Sequence, residues 1–275
     1  MSYVFSRDIC NPQDFDLVNM FRTAQRLNIK AVNMVSLYQR KAGEIKRIAD
    51  DHDTKIQCST FGIPPEKINS IQHLTDDFQR ELDAAEILNA PMLLLLFNGK
   101  PELSNTENRA EAIHALQKLV PLAKARGITV TVENFPNLKG PFLYGKDLKA
   151  AIEAVPDLRL TFDNGNCIIS GEKPEEAFVL NQNSFVNVHF KDWIQAPADA
   201  EVLSVALDGR KYIGGAIGAG ESDYKVLLRS MKAAGYDGFI EIEYLGNEYS
   251  PETGVLKAIE YLRGIELQIE EIDNE

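Results

Sequence analysis

"KARGITVTVENF", residues 124–135, sets out the folding pattern of this chain in one short stretch. A helical pattern closes in Lys124 and Arg126, and Gly127 follows where a left-handed C′ residue costs least. Then Thr129–Glu133 alternates polar and apolar, the period-2 signature of a strand with two unlike faces. The strand ends on a glutamate. The same join recurs in "RLNIKAV" and "KAAGYDGFI", which makes Asn28 and Gly235 further C′ candidates.

Working outward, apolar strand-sized runs alternate with amphipathic stretches along the whole chain. The strand candidates are Tyr3–Phe5, Lys30–Val35, Lys55–Thr60, Met92–Phe97, Thr129–Glu133, Arg159–Asp163, Phe185–His189 and Phe239–Glu243. Between two of them, residues 110–127 place Ile113, Leu116, Leu119, Val120 and Ala123 at helical spacing. Eight strand–helix units with no linker or composition shift predict one domain over residues 1–275, an α/β fold of the (β/α)8 TIM-barrel class. An open doubly wound sheet has the same periodicity, but no GxGxxG follows the first strand to support a dinucleotide fold. The long piece Trp193–Ser222 reads as irregular. It is either an active-site lid or a surface insertion.

Bulk composition narrows the partners. The formal charge is −12, which disfavours a nucleic-acid partner. No apolar run approaches the ~20 residues of a membrane span, and the start lacks the basic-then-apolar layout of a signal peptide. Cys10, Cys58 and Cys167 are scattered and odd in number, as expected of reduced thiols in a cytoplasmic protein. A homo-oligomer is compatible with this composition.

The chemistry lies in the polar phase of four strands. In "TVTVE", "RLTFD", "FVNVH" and "FIEIE", apolar residues occupy one face, and the other face ends in Glu133, Asp163, His189 and Glu243. In a barrel the apolar phase packs under the helices and the polar phase points inward, with catalytic groups at the C-terminal strand ends. One acidic strand end alone is usually a solvated carboxylate or a helix cap. Four in phase on successive strands point to a shared site. Three carboxylates and one imidazole make a hard, oxygen-rich set suited to one Mn²⁺ or Mg²⁺, with Co²⁺, Fe²⁺ or Zn²⁺ also compatible.

The pieces "VTVENFP" (130–136), "LTFDNGN" (160–166), "VNVHFKDW" (186–193) and "GAGESDYKVLLRSMKAAGYDGFIEIEY" (218–244) resemble the xylose-isomerase-like TIM-barrel superfamily. The resemblance is to its sugar and sugar-phosphate isomerase/epimerase branch, and it covers the C-terminal half well. It implies a small carbohydrate substrate and one divalent metal on Glu133, Asp163, His189 and Glu243. The two glutamates would then be the acid/base pair around an enediolate. A dehydratase or lyase acting on a keto-sugar or keto-inositol uses the same metal site, and a non-catalytic sugar-binding barrel is the third reading. Two departures argue against a simple free-ketohexose epimerase. Asn166 stands where tagatose- and psicose-type enzymes carry a second histidine, and Lys139 where the tagatose type has a glutamate. Endonuclease IV relatives need a histidine-rich trinuclear site, and this chain has four histidines in all.

Substrate-binding candidates are Asn166, Lys191, Asn98 and Trp193, with Arg7 a further pocket liner. Lys191 shares the inward phase of His189 and would meet a substrate oxygen or pair with an acid, while Trp193 would cover a sugar face or pack. "GAGESD" (218–223) reads either as a phosphate cradle or as a helix start capped by Ser222 or Asp223. His52, His73 and His114 fall in a charged loop and two helical patterns, as structural or exposed residues. Glu241, one pleat deeper than Glu243, is a candidate to support the metal ligands from behind and could exchange roles with Glu243.

Overall fold

The computed structural model describes residues 2–6, 15–68 and 71–273. Arg7 and Cys10 lie outside the described residues. The main sheet has seven strands in the order β1-β2-β3-β4-β5-β6-β10. These are β1 (Ala31–Met34), β2 (Lys55–Ile63), β3 (Met92–Phe97), β4 (Thr129–Glu133), β5 (Arg159–Asp163), β6 (Phe185–Phe190) and β10 (Phe239–Ile242). Seven of the expected strands therefore form, three of them with the expected bounds.

Tyr3–Phe5 does not form a strand. It lies in a single helical turn, α1 (Tyr3–Ser6), where Phe5 and Ser6 donate backbone bonds to the Ser2 carbonyl. Three apolar residues carry no measurable period, so sequence alone cannot separate a turn of helix from a strand there.

The chain divides into two compact units: residues 1–133 with 139–142 and 150–160, and residues 134–138 with 143–149 and 161–275. In the first, β1, β2, β3 and β4 pair in parallel. Helices α3 (Ala42–Asp51), α4 (Ile71–Leu88) and α5 (Asn105–Ala125) connect them, and α2 (Leu17–Arg26) precedes β1. The joins follow the expected logic. Ser104 and Glu107 form a reciprocal capping box at the start of α5, and Gly127 closes it at φ +71°. Asn28 adopts φ +57° after α2.

In the second unit β6 and β10 pair in parallel, with Glu241 opposite His189. Its helices are α7 (Asn164–Ser170), α8 (Pro174–Asn181), α9 (Tyr224–Ala233) and α10 (Pro251–Asp273), besides part of α6 (Gly145–Ala154). Gly235 takes φ +67° after α9. The apolar strand phases pack beneath helices. Phe162 of β5 meets Phe178 of α8 edge-on at 5.4 Å and Phe185 of β6 at 5.2 Å, and Phe190 meets Tyr224 of α9 at 5.1 Å. Full burial of each such ring contributes roughly 2–3 kcal/mol. It also commits the alternate residues, Asp163 and His189, to the opposite face.

The segment after β6 is irregular only in part. Asp192–Gln195 (β7), Ser204–Val205 (β8) and Lys211–Gly215 (β9) form a three-stranded antiparallel sheet in the order β7-β9-β8. Gly214 and Gly215 belong to β9 itself: a Cβ at Gly215 would come within 2.8 Å of Ile194 on the facing strand. Glycine in "KYIGG" therefore marks close packing within a strand, where its composition suggests a loop.

Candidate active site

Two asparagines, each following an acidic strand end, bind backbone farther along the chain. Asn134, next after Glu133, accepts the backbone N–H of Asp163 at 3.0 Å and donates to its carbonyl at 2.8 Å. Asn164, next after Asp163, accepts the N–H of Lys191 at 3.0 Å and donates to its carbonyl at 3.1 Å. A carboxamide has the donor and acceptor of a peptide unit, so each side chain acts as an extra rung beyond the strand. Sequence reasoning passed over both, although the repeated Glu-Asn and Asp-Asn pairs were the visible signal. Asn166 joins the same network, donating to the Asn134 carbonyl at 2.9 Å.

Asp163 has its two oxygens in different work. Oδ1 caps α7 by accepting the Asn166 N–H at 2.9 Å. Oδ2 stands 2.8 Å from Lys191 Nζ and 3.8 Å from His189 Nδ1, with no well-aligned hydrogen bond to it. Burial favours the protonated acid, but Lys191 and His189 outweigh it and hold the Asp163 carboxyl below its ordinary range. Lys191 also donates to Glu243 Oε2 at 3.0 Å.

Glu243 lies one residue beyond β10, and its N–H still donates to the Phe190 carbonyl at 2.8 Å. Glu241 lies deeper, with Oε2 3.6 Å from His189 Nε2 and Oε1 accepting from Asn187 at 2.7 Å. Burial again works toward the acid form and is overcome, chiefly by His189, so the Glu241 pKa is lowered.

Asp163 and His189 of the second unit are buried with Oδ2 and Nδ1 3.8 Å apart, and Glu133, the last residue of β4 in the first unit, is buried as well. Glu243 reaches Asp163 through Lys191. The residues fit a divalent cation on two grounds. The donors are hard oxygens plus one imidazole, and a buried Asp163 oxygen is left outside any well-aligned hydrogen bond. Within the second unit, two carboxylates, Asp163 and Glu243, share the Lys191 ammonium at 2.8 and 3.0 Å, while Glu241 faces His189 at 3.6 Å.

Of the two readings of the Gly-rich stretch, the helix start is the one that forms. The Gly-rich stretch 218–223 does not offer its N–H groups to a phosphate. Gly218 and Gly220 both donate to Asp192 Oδ2, at 2.9 and 3.0 Å, and Ser222 donates to Oδ1 at 3.2 Å. A Cβ on Gly220 would clash with that carboxylate, so glycine is needed for the close wrap. Asp223, not Ser222, caps α9.

Trp193 is buried, with its indole N–H donated to the Gly165 carbonyl at 3.0 Å and its ring near Tyr212. Asn98 is exposed just past β3 in the first unit. His52, at the end of α3, bonds the Ile48 carbonyl through Nδ1, while His73 and His114 lie on α4 and α5. Lys139 donates to the Leu103 carbonyl at 2.9 Å.

The family model described as xylose isomerase-like TIM barrel matches residues 11–265. The chain belongs to that family. Its fold is accordingly a TIM barrel, as the strand–helix alternation predicted. An inosose dehydratase from Lacticaseibacillus casei is 34% identical over 113 residues, 39% of this chain and 38% of that one. The match thus spans under two fifths of that relative's length.

Among solved structures, the probable 3-DHS dehydratase AsbF from Bacillus anthracis superposes with a TM-score of 0.74 at 14% identity, covering 94% of this chain and 97% of that one. D-Allulose 3-epimerase from Methylomonas sp., in complex with D-allulose, gives 0.73 at 16% identity, covering 96% and 94%. These likenesses establish the fold, whose neighbours include epimerases, isomerases and dehydratases. Among the described residues, no helix is long and apolar enough to cross a membrane.

Proposed function

We propose that this protein is a divalent-metal-dependent epimerase or isomerase of a ketose sugar or sugar phosphate. The observation that carries the reading is the buried pair Asp163 and His189, with Asp163 Oδ2 facing His189 and Lys191 rather than a satisfied hydrogen bond. We assign Glu133, Asp163, His189 and Glu243 as the residues that hold the metal, with Mn²⁺ or Mg²⁺ the best match to a hard donor set. When bound, such an ion supplies Lewis acidity to a ketose carbonyl and its neighbouring hydroxyl.

The chain's own residues do the rest. Glu133 and Glu243 take and return the proton on the carbon beside the carbonyl, one as base and the other as acid. Lys191, hydrogen-bonded to Glu243, places an ammonium beside that carboxylate and can donate to a substrate oxygen. Asn166, Asn98 and Trp193 complete the assignment as substrate-side residues.

A dehydratase acting on a keto-inositol or keto-sugar is the second reading, supported by the inosose dehydratase relative. The two part at the fate of the carbanion: reprotonation gives an epimer, and expulsion of a neighbouring hydroxyl gives an enone and water. Proton NMR of a panel of ketoses, ketose phosphates and inososes in D₂O separates them. Deuterium at an epimerised carbon supports the first reading, and loss of water replaces it with the second. Wild-type protein that binds members of the panel but turns over none of them would sink both and leave a sugar-binding barrel.

A further inference from the structure

Glu241 is a buried carboxylate that the proposed chemistry does not use. It sits one pleat below Glu243 and directly opposite His189 in the β6–β10 ladder. Its Oε1 is held by the Asn187 carboxamide at 2.7 Å, which leaves Oε2 turned to His189 Nε2 at 3.6 Å. The other ring nitrogen, Nδ1, faces Asp163 Oδ2 at 3.8 Å. The imidazole is therefore lined up between two carboxylates, one toward the site and one behind it.

We infer that Glu241 is a positioning residue that fixes the His189 tautomer, holding the ring proton on Nε2 so that Nδ1 presents its lone pair to the metal. The inference rests on the metal reading above. A neutral imidazole carries one N–H, and the nitrogen that binds a metal must be the bare one. A proton on Nε2 needs an acceptor. Two of the groups that face Nε2 are Asn187 Nδ2 at 3.3 Å, which would donate to a bare nitrogen, and Glu241 Oε2 at 3.6 Å, which would accept from a protonated one. Glu241 alone of these two can accept, and Asn187, by donating to its other oxygen, aims it. Carboxylates placed behind metal-binding histidines orient the ring and raise its basicity, typically 10- to 100-fold in metal affinity.

The test uses the full chain labelled with ¹⁵N-histidine and loaded with diamagnetic Zn²⁺ or Mg²⁺, with the His189 signals assigned by their loss in His189→Gln. The expected spectrum shows His189 protonated at Nε2 and metal-bound at Nδ1. A proton on Nδ1, or metal on Nε2, overturns the inference. Calorimetric titration with Mn²⁺ gives the second arm. Glu241→Leu should lose 10- to 100-fold in affinity, and Glu241→Gln, whose amide oxygen can accept the same proton, should recover most of it. Equal affinity in all three proteins also overturns it. If Glu241→Leu does not fold, the wild-type spectrum still decides. Wild type that takes up no divalent ion defeats the metal reading itself. Uptake without the Nε2 proton defeats only the role given to Glu241.

Discussion

Asp163 and Asp192 are both buried aspartates at strand ends of the second unit, and their surroundings push them in opposite directions. Asp192 accepts backbone N–H groups of Gly218, Gly220, Ser222 and Trp193. Burial dominates, those bonds offset it only in part, and its pKa is raised. Asp163 is equally buried, yet an ammonium and an imidazole lower its pKa. Neutral dipoles satisfy a carboxylate in place, so Asp192 works as a clamp that gathers a loop around itself. Asp163 keeps one oxygen among charged groups, which suits an exchangeable cation. The contrast separates an acid used for structure from an acid used for chemistry.

Replacing the two in turn should give the largest divergence. Asp163→Asn is expected to lose at least about 100-fold in Mn²⁺ affinity, since even residues behind the ligands cost 10- to 100-fold. Asp192→Asn should stay within about twofold of wild type by the same calorimetric titration. Equal losses in both would break the distinction.

Lys191 sharpens it further. In chelated protein, Lys191→Met leaves Asp163 and Glu243 without their shared ammonium and should cost about 3 kcal/mol in urea unfolding, as breaking a buried pair does. Saturating Mg²⁺ should recover most of that loss if a cation belongs among these carboxylates. If Mg²⁺ recovers none of it, Lys191 is a purely structural tie.

Asp192→Ala comes next. It strands partly buried N–H groups of Gly218, Gly220 and Ser222, at about 2 kcal/mol in all. Hydrogen exchange should quicken at those three amides while Mn²⁺ affinity holds. Protection that stays unchanged would remove the clamp.

How much of the fold and site is legible in the sequence follows from period and phase. Alternation in "RLTFD" and "FVNVH" places Asp163 and His189 on one face, because Phe162 and Val188 must go under helices. The same phase cannot rank Glu241 against Glu243. Both lie on that face, about 6.6 Å apart along a strand, and only the β6–β10 register shows which stands beside His189. The asparagine rungs are hidden because Asn after a strand reads as the start of a loop. Their role depends on where the neighbouring strand ends, which is a tertiary fact. The β7–β9 sheet escapes for a related reason: its strands are short and one of them ends in two glycines. The wrap of residues 218–222 around Asp192 likewise joins segments far apart in the chain, so composition alone suggests a phosphate.

The smallest expected effect is a pH dependence of opposite sign at the two aspartates. A carboxyl whose folded pKa is raised keeps its proton after the unfolded chain has lost its own. Between the unfolded value near 3.9 and the folded one, folding takes up a proton, so the Asp192 contribution to stability falls as pH rises through that window. Asp163, with a lowered pKa, contributes stability at neutral pH that is lost as pH falls from about 3.9 through its folded value. Urea unfolding of chelated protein across this range, compared with Asp192→Asn, isolates the Asp192 contribution. The variant should lack the decline on the alkaline side of about 3.9. A variant curve parallel to wild type would mean that the backbone N–H groups compensate burial fully. Asp192 would then stand electrostatically with Asp163, and the two acids would differ only in what they touch.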